Sequence, residues 1–330
     1  MSDVYAASRR APIEIEGKLA FVALVYTTAA MIFSWEAYLP LLKQYAVTHF
    51  IALPGLLFFV LITGSMIVAP GAPIQFLKQS LRERWRGAVV TTVIFCFSVT
   101  AFSTFKHHIP AAVPFFADRP LADLDDLLFG NQPWRLLHQI SSPAIGPPLY
   151  FLYGNVWFAQ LFGTFLLALF LTDADLRRRY LVAFTISAIL LGTVLRVAGA
   201  SAGPIFYDRM FGGDRFADLI IALSSEIAGR KMLDAANYLH SAYLSDDAVF
   251  GSGISAMPSM HVAMAVLNAL FLSSLNRWAG ALGWAYAACI MFGSVYFGWH
   301  YAVDGFVSAV AMFAIWHVAG RVANTAATGS

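Results

Sequence analysis

The sequence predicts an all-α integral membrane protein, a polytopic helical bundle of about eight transmembrane helices. The first reason is composition. Of the 330 residues, 59% are hydrophobic and 12% are charged, whereas soluble domains are about half apolar and about a quarter charged. The second reason is that the apolar residues form long runs. A bilayer core about 30 Å thick requires roughly 20 such residues per helix.

The apolar runs are separated by polar segments of very different lengths. The runs occupy residues 19–35, 51–70, 88–105, 149–171, 181–199, 260–275, 279–298 and 301–320. Between the first two, the stretch Glu36 to Phe50 is too mixed to span and is expected to form an interfacial helix. Residues 106–148 and 200–258 are long polar segments, and the former is rich in Pro and Asp.

Three regions follow from this pattern. Residues 1–87 are expected to hold a polar start, two transmembrane helices and the interfacial helix. Residues 88–320 are expected to form a six-helix core, and residues 321–330 a polar tail. No removable signal peptide is expected, so the first apolar run should remain as a membrane anchor. Cys96 and Cys289 both lie in apolar runs and are interpreted as buried free thiols.

Basic residues predict the orientation, because short cytoplasmic loops are enriched in Lys and Arg. Clusters precede the first run and fall between runs two and three, four and five, and six and seven, and another follows the eighth. With eight spans, all of them lie on one side. We therefore expect cytoplasmic termini, an active site on the outer or periplasmic face, and residence in a bacterial inner membrane. The net charge of +2 provides no general attraction for nucleic acid.

His300 and Asp304 form the first candidate catalytic pair. They lie at the junction of the last two apolar runs and are four residues apart, so on a helix they share one face. A carboxylate in that position can fix the tautomer of the imidazole and stabilise its charged form. The pair therefore suits a nucleophilic histidine oriented by an aspartate.

His261 provides a second imidazole near the same membrane face. It opens the sixth run just after Pro258, and proline is common at helix starts. Free N–H groups at a helix start can hold an anion, and the Ser259 hydroxyl can add a further donor. His261 would then be placed to protonate a leaving alkoxide. The remaining histidines are interpreted as interfacial residues; they are His49, His107, His108, His138, His240 and His317.

These motifs resemble a known family. Pro258-Ser259-Met260-His261 followed by His300-x-x-x-Asp304 is similar to the type-2 phosphatidic acid phosphatase superfamily. The stretch Gly253 to Ala263 and the pair His300-Tyr301 narrow the resemblance to the inositolphosphotransferase branch, that of inositol phosphorylceramide synthase. The resemblance implies that His300 forms a phosphohistidine, that Asp304 orients it and that His261 is the general acid. It also implies that the reaction uses no metal and no other cofactor.

The chain departs from the general phosphatase pattern in three places. Met260 replaces the Gly of the Pro-Ser-Gly-His motif, Ser294 replaces the expected Arg six residues before His300, and the Lys-x6-Arg-Pro motif is missing. The first two departures are typical of the phosphotransferase branch. Another cation must therefore bind the phosphate. The candidates in order are Arg209, Arg215 and Arg196, and Tyr207 is a further candidate for substrate binding.

The resemblance implies a lipid phosphotransferase or phosphatase. The donor would be a lipid phosphate similar to phosphatidylinositol, and the acceptor a lipid hydroxyl or water. Headgroup transfer to a lipid is favoured, with a simple lipid-phosphate hydrolase as the alternative. A non-enzymatic transporter is the alternative from another class. Transporters often contain repeated halves and polar sites near mid-membrane, and this sequence has neither feature. The sequence specifies no oligomeric state.

Overall fold

The computed structural model describes residues 11–328, and its regular secondary structure in that range is helical. In chain order the helices are α1 (Ala11–Phe33), α2 (Trp35–Val68), α3 (Pro73–Ala112), α4 (Asp118–Phe129), α5 (Pro133–Ile140), α6 (Gly146–Phe170), α7 (Ala174–Ala198), α8 (Pro204–Phe211), α9 (Ala217–Ser225), α10 (Ile227–Ser245), α11 (Met260–Leu275), α12 (Arg277–Tyr296) and α13 (Ala302–Thr328). The helices α2, α6 and α7 each contain a short π-helical segment.

The predicted class, a polytopic helical membrane protein, is confirmed. Six of the described helices are long and apolar enough to cross a bilayer: α2, α3, α6, α7, α12 and α13. The two other predicted spans correspond to shorter apolar helices, which are Gly17–Phe33 within α1 and the whole of α11. Residues 1–10 and 329–330, which belong to the predicted polar start and tail, lie outside the described residues.

The segment Glu36 to Phe50, for which the sequence predicts a separate interfacial helix, is joined directly to the following span in α2. A π-helical segment, Thr48–Ala52, connects the two parts without a break. The buried residues Tyr38, Leu41 and Tyr45 recur at helical spacing, and this part of α2 packs against α3. The apolar face formed by these buried residues is therefore covered by α3.

The helix α11 lies at the centre of the bundle. Every side chain from Val262 to Ala269 is buried, and α11 packs against α6, α7, α12 and α13. With 16 residues it is about 24 Å long, shorter than the hydrocarbon core. Because neighbouring helices surround it, a short helix is sufficient here. Its first turn, which contains His261, is consequently held inside the protein.

Three connecting segments meet at one end of the bundle, which we call the loop end. They are residues 113–145, 199–259 and 297–301. The backbone N–H groups of Phe116 and Ala117 both donate to the carbonyl of Ala200. The N–H of Ile205 donates to the carbonyl of Gly298. These bonds join segments that are far apart in the sequence, and they build the end of the bundle where the candidate site lies.

A chain of buried polar side chains joins α7, α11 and α6. The Tyr180 hydroxyl donates to Asn268 Oδ1 at 2.8 Å, and Asn268 Nδ2 donates to Gln160 Oε1 at 2.8 Å. Tyr180 and Asn268 are fully buried. In a low-dielectric interior such groups are costly to leave without partners. Asn268 therefore fixes the central helix relative to two of its neighbours.

Replacing Asn268 should test this role. Asn268→Ala breaks both hydrogen bonds and should lower the free energy of unfolding by about 1–2 kcal/mol, whereas Tyr180→Phe should cost about 0.6 kcal/mol. Unfolding in detergent micelles would measure both values. Ser274→Ala, an exposed site on the same helix, is the control. Equal stability of Asn268→Ala and the wild type would contradict the assignment.

Candidate active site

The connection 297–301 between α12 and α13 carries His300 across the segment that precedes α8. Two glycines permit this close crossing. Gly298 has a φ of 70°, and an added Cβ would collide with Leu219; Gly203 has a φ of 97°, and an added Cβ would lie 2.6 Å from the carbonyl oxygen of Trp299. The His300 N–H donates to the Ser294 carbonyl at 3.1 Å. The backbone of His300 is thus fixed from two sides.

Asp304 lies one turn after His300, as its spacing predicts. Its Oδ2 is 3.5 Å from His300 Nδ1 and accepts the N–H of Tyr301 at 3.0 Å. The 3.5 Å separation is longer than an ordinary hydrogen bond, and His300 Nδ1 has no closer partner. Catalytic hydrogen bonds are often long before substrate binds. The contact directs Nδ1 toward Asp304 and leaves Nε2 as the nitrogen available for other chemistry.

His261 is the second residue of α11 and lies between two aromatic rings of α6. Its imidazole stacks on Tyr153, with ring centroids 4.9 Å apart, and contacts Trp157 at 4.3 Å. The Trp157 indole N–H also donates to the His261 carbonyl at 3.2 Å. These aromatic contacts hold the ring in one orientation. The sequence pattern predicts no role for Tyr153 or Trp157, which lie within the fourth apolar run.

The structure brings the two histidines together. The ring centroids of His261 and His300 are 6.2 Å apart. Reacting atoms in a productive complex are about 3–3.5 Å apart, so one phosphorus atom between the rings could be reached from both. The two histidines, 39 positions apart in the sequence, thus come together as the motifs predict.

Two buried aspartates of α4 hold the backbone on both sides of this site. Asp125 accepts the N–H groups of Ala302 and Val303 at 2.7 and 3.1 Å and so caps the start of α13. Asp118 accepts the N–H groups of Ala202 and Gly203 at 2.7 and 2.8 Å. Sequence analysis recorded both residues in the 106–148 segment but assigned them no role. Nothing in their spacing indicates which distant amides they bind.

Asp118 has a third partner, the hydroxyl of Tyr301, which donates to it at 2.8 Å. Burial raises the pKa of Asp118, and the three hydrogen bonds act against that effect. Burial likewise raises the pKa of the Tyr301 phenol, and the neighbouring Asp118 raises it further. Tyr301 is therefore a donor in this network, and it links α4 directly to the residue after His300.

The two basic side chains closest to the histidines differ from the first sequence candidates. Arg196, the third candidate, lines the same cavity as His261 and His300, and so does Lys106 of α3, which sequence analysis missed. Arg196 is 3% exposed, and its Nε and Nη1 atoms have no hydrogen-bond partner. Lys106 Nζ donates to the Gly251 carbonyl at 2.8 Å. A position directly after an apolar run was the only sequence signal for Lys106.

The other predicted binding residues do not line this cavity. Arg215 forms ion pairs with Asp123 and Asp126, both at 2.7 Å, and these carboxylates raise its pKa. Arg209 donates to Asn237 at 2.7 Å in an exposed position.

Tyr207 and Ser259 also have other partners. The Tyr207 ring packs against Phe211 and Phe216. Ser259 is the N-cap of α11, and its hydroxyl accepts the N–H of Val262 at 3.4 Å. The hydroxyl thus serves the helix terminus that positions His261.

The cavity next to the histidines has a volume of about 580 Å³. Its basic lining residues are Lys106, Arg196 and Lys231, and the two histidines line it as well. Within residues 11–328, no Asp or Glu side chain lines it. The remaining wall is largely apolar and extends to Leu19 of α1 and Thr91 of α3. Thr91 lies 15 residues before Lys106, a distance of about 22 Å along a helix.

Comparison with known families gives one match. A family model described as the PAP2 superfamily matches residues 119–318, which is more than half of the chain. The chain belongs to the PAP2 superfamily. The matched range contains Arg196, His261, His300 and Asp304. Comparisons with curated proteins and with solved structures give no match.

Membership identifies a phosphatase-type membrane enzyme that acts on lipid phosphoesters, in agreement with the six apolar helices. The match begins within α4, so α1, α2 and α3 lie before it. These preceding helices nevertheless complete the cavity, since α3 provides Lys106 and α1 provides Leu19. This PAP2 protein thus builds part of its substrate-sized cavity from residues outside the matched range.

The capping role of Asp125 predicts a dependence of stability on pH. Burial raises the pKa of Asp125 from 3.8 to about 6, despite the two backbone hydrogen bonds. Folding therefore takes up a proton at this site between about pH 4 and pH 6, and the contribution of Asp125 to stability falls as the pH rises through that window. Asp125→Asn should show a smaller loss of melting temperature from about pH 4 to pH 7 than the wild type.

Thermal unfolding in detergent at a series of pH values would measure this difference. Asp234→Asn, at an exposed carboxylate of α10, removes the same formal charge and should keep the wild-type slope. A larger loss of melting temperature in Asp125→Asn than in the wild type over the same pH range would contradict a raised pKa at Asp125.

Proposed function

We propose that this protein is a membrane lipid phosphotransferase that works through a phosphohistidine on His300 and favours transfer of a headgroup to a lipid hydroxyl. The main support is the chemical character of the cavity. Basic groups and two histidines surround one part, no described acidic side chain lines it, and the remaining wall is apolar. A ligand with an anionic head and a long apolar tail matches both parts. A lipid phosphoester is such a ligand.

In the first step, His300 Nε2 attacks the phosphorus of the donor. A bond forms between nitrogen and phosphorus, and the bond between phosphorus and the lipid alkoxide breaks. His261 gives its proton to the leaving oxygen, so a neutral lipid alcohol departs. Asp304 stabilises the positive charge that develops on His300. For a donor like phosphatidylinositol, the inositol phosphate remains on His300.

In the second step, the acceptor hydroxyl attacks the same phosphorus. The nitrogen–phosphorus bond breaks, and His261 takes the proton from the attacking hydroxyl. With a lipid alcohol the product is a new phospholipid or phosphosphingolipid; with water it is a free headgroup phosphate. The ring separation of 6.2 Å is compatible with both steps at one phosphorus atom.

Arg196 and Lys106 are our candidates for binding the phosphate oxygens. Arg196 is buried beside the cavity with unpaired Nε and Nη1 atoms. A guanidinium is costly to bury without an anion, and its fork matches phosphate geometry. Ser294 stands where the general pattern has Arg, but its hydroxyl donates to the Met291 carbonyl. Arg196 therefore supplies from α7 the charge that position 294 lacks.

The cover over the cavity favours transfer over hydrolysis. Met232, Tyr238 and Leu239 of α10 line the cavity, and His300 is only 6% exposed. Exclusion of water protects a reactive intermediate from hydrolysis. A lipid acceptor can approach through the apolar part, where water is disfavoured. The substitutions at Met260 and Ser294, typical of the phosphotransferase branch, support the same preference.

We further propose that the loop end faces the periplasm or cell exterior of a bacterial inner membrane, with both termini in the cytoplasm. Basic residues at the opposite end support this orientation. For example, Arg179 of α7 contacts the ring of Trp316 in α13, with its Cζ 4.1 Å from the centroid. Arg321 follows Trp316 in α13.

The deciding experiment for the function uses purified protein and headgroup-labelled phosphatidylinositol, with or without ceramide or diacylglycerol. The proposal predicts a labelled lipid product that requires the acceptor. Release of labelled inositol phosphate independently of any acceptor would refute the transferase preference and support the hydrolase. No conversion of this donor or of phosphatidic acid would count against both.

Variants of the two histidines should differ in a characteristic way. His300→Ala should remove the phosphoenzyme and lower kcat at least about a thousandfold, because the nucleophile is lost. His261→Ala should lower kcat by about 10²- to 10⁴-fold, with the smaller loss for donors that have a good leaving group. Quenched-flow labelling of the protein would measure both. Normal phosphoenzyme formation by His300→Ala would overturn its assignment.

The two arginine assignments make opposite predictions. Arg196→Ala should lower kcat/KM by about 10²–10³ through loss of charge stabilisation, and Arg196→Lys should restore part of it. Arg209→Ala should change kcat/KM by less than about threefold, because this residue does not line the cavity. The reverse order of effects would assign the phosphate to Arg209.

A further inference from the structure

A cluster of possible metal ligands lies beside the candidate site but outside it. His107 and His108, near the end of α3, meet Asp246, which follows the end of α10. One ligand atom from each side chain lies within 4.8 Å of the other two. His107 Nε2 is 3.3 Å from Asp246 Oδ1, and the two imidazole centroids are 4.8 Å apart. Adjacent residues of a helix usually point in different directions, yet these two rings converge.

One further observation points to a ligand at this cluster. The Nε2 atom of His108 is buried and has no hydrogen-bond partner, although buried polar atoms nearly always have one. Asp246 is the left-handed C-cap of α10, with a φ of 55°, a conformation that Asp adopts more readily than most residues. It places the carboxylate beside His107. A bound cation would satisfy His108 and would use this conformation.

We propose that His107, His108 and Asp246 bind a Zn²⁺ ion that fixes the loop before α11 to the end of α3. Two imidazoles and one carboxylate are a common ligand set for zinc, and a water molecule completes the tetrahedral coordination. None of the three side chains lines the cavity that contains His261 and His300, so the ion takes no part in the phosphoryl transfer and the inference is independent of the proposed function.

The position of the cluster explains what the ion would hold. Asp246 begins the loop 246–259, which leads to the cap and first turn of α11 and hence to His261. This loop already approaches α3 closely, because Lys106 Nζ donates to the Gly251 carbonyl and an added Cβ at Gly253 would be 2.6 Å from the Lys106 carbonyl carbon. The first part of α2 joins the same contact, since Gln44 donates to the Ala248 carbonyl at 3.2 Å. A metal bound by His107 and Asp246 would connect the start of the loop 246–259 to the end of α3.

The test is zinc binding by the purified full-length protein in detergent, without an affinity tag that contains histidine. Metal content after equilibration with ZnCl₂ and gel filtration should be one Zn²⁺ per chain, and ZnCl₂ should raise the melting temperature. His107→Gln and Asp246→Asn should each weaken binding by about tenfold or more and remove the thermal shift. Asn tolerates the left-handed conformation, so Asp246→Asn should fold normally.

Asp247→Asn is the matched control. It removes the same charge from the next residue, whose carboxylate is not part of the cluster. His240→Ala is a second control, because this histidine of α10 is not part of the cluster. Both should retain one Zn²⁺ per chain and the thermal shift. The proposal is overturned if the wild type binds no zinc, or if Asp246→Asn and Asp247→Asn weaken binding equally, which would indicate a general electrostatic effect.

Discussion

The candidate site depends on the hydrogen bonds that two buried carboxylates of α4 make to distant backbone amides. Asp125 binds the first amides of α13, and Asp118 binds the segment before α8. His300 and Asp304 lie between these two anchors. A buried carboxylate is costly unless its oxygens have donors, so each aspartate requires the backbone to remain where it is. The position of His300 is thereby coupled to the folding of the 106–148 segment.

The same segments explain why the site selects an anion. Lys106 of α3 and Arg196 of α7 both line the cavity, and the four aspartates of α4 are bound elsewhere. Asp118 and Asp125 bind backbone amides, and Asp123 and Asp126 bind Arg215. The cavity therefore retains positive charge with no described carboxylate in its wall. An anionic headgroup provides the missing negative charge, and the apolar part of the cavity accommodates the chain attached to it.

Sequence patterns predicted those features that depend on neighbouring residues. Runs of apolar residues predicted the helices, and the spacing of His300 and Asp304 predicted their contact. The pairing of His261 with His300 required the family resemblance, because the two are 39 positions apart in the sequence. The roles of Asp118 and Asp125 could not be predicted, since a carboxylate in a polar segment gives no information about which amides it will meet.

The choice among the arginines shows the same limit of local information. Arg209 and Arg215 both lie in the 199–259 segment, but Arg215 is bound by two aspartates and Arg209 donates to Asn237. Arg196 is near the end of an apolar run. From its sequence position, it could equally bind the substrate phosphate or contact lipid headgroups at the membrane surface. Only the packing of α7 against the loop end places it beside the histidines. The stretch Glu36 to Phe50 shows the same limit. Its mixed composition predicted a separate interfacial helix, but it packs against α3 and continues directly into the following span.

The most direct test of this account is a structure of the protein in a lipid nanodisc with bound vanadate, which resembles a phosphoryl group during transfer. The account predicts vanadium bonded to His300 Nε2, with His261 facing the opposite oxygen and Arg196 and Lys106 contacting the equatorial oxygens. Vanadate bound between Arg209 and Arg215, away from both histidines, would contradict it.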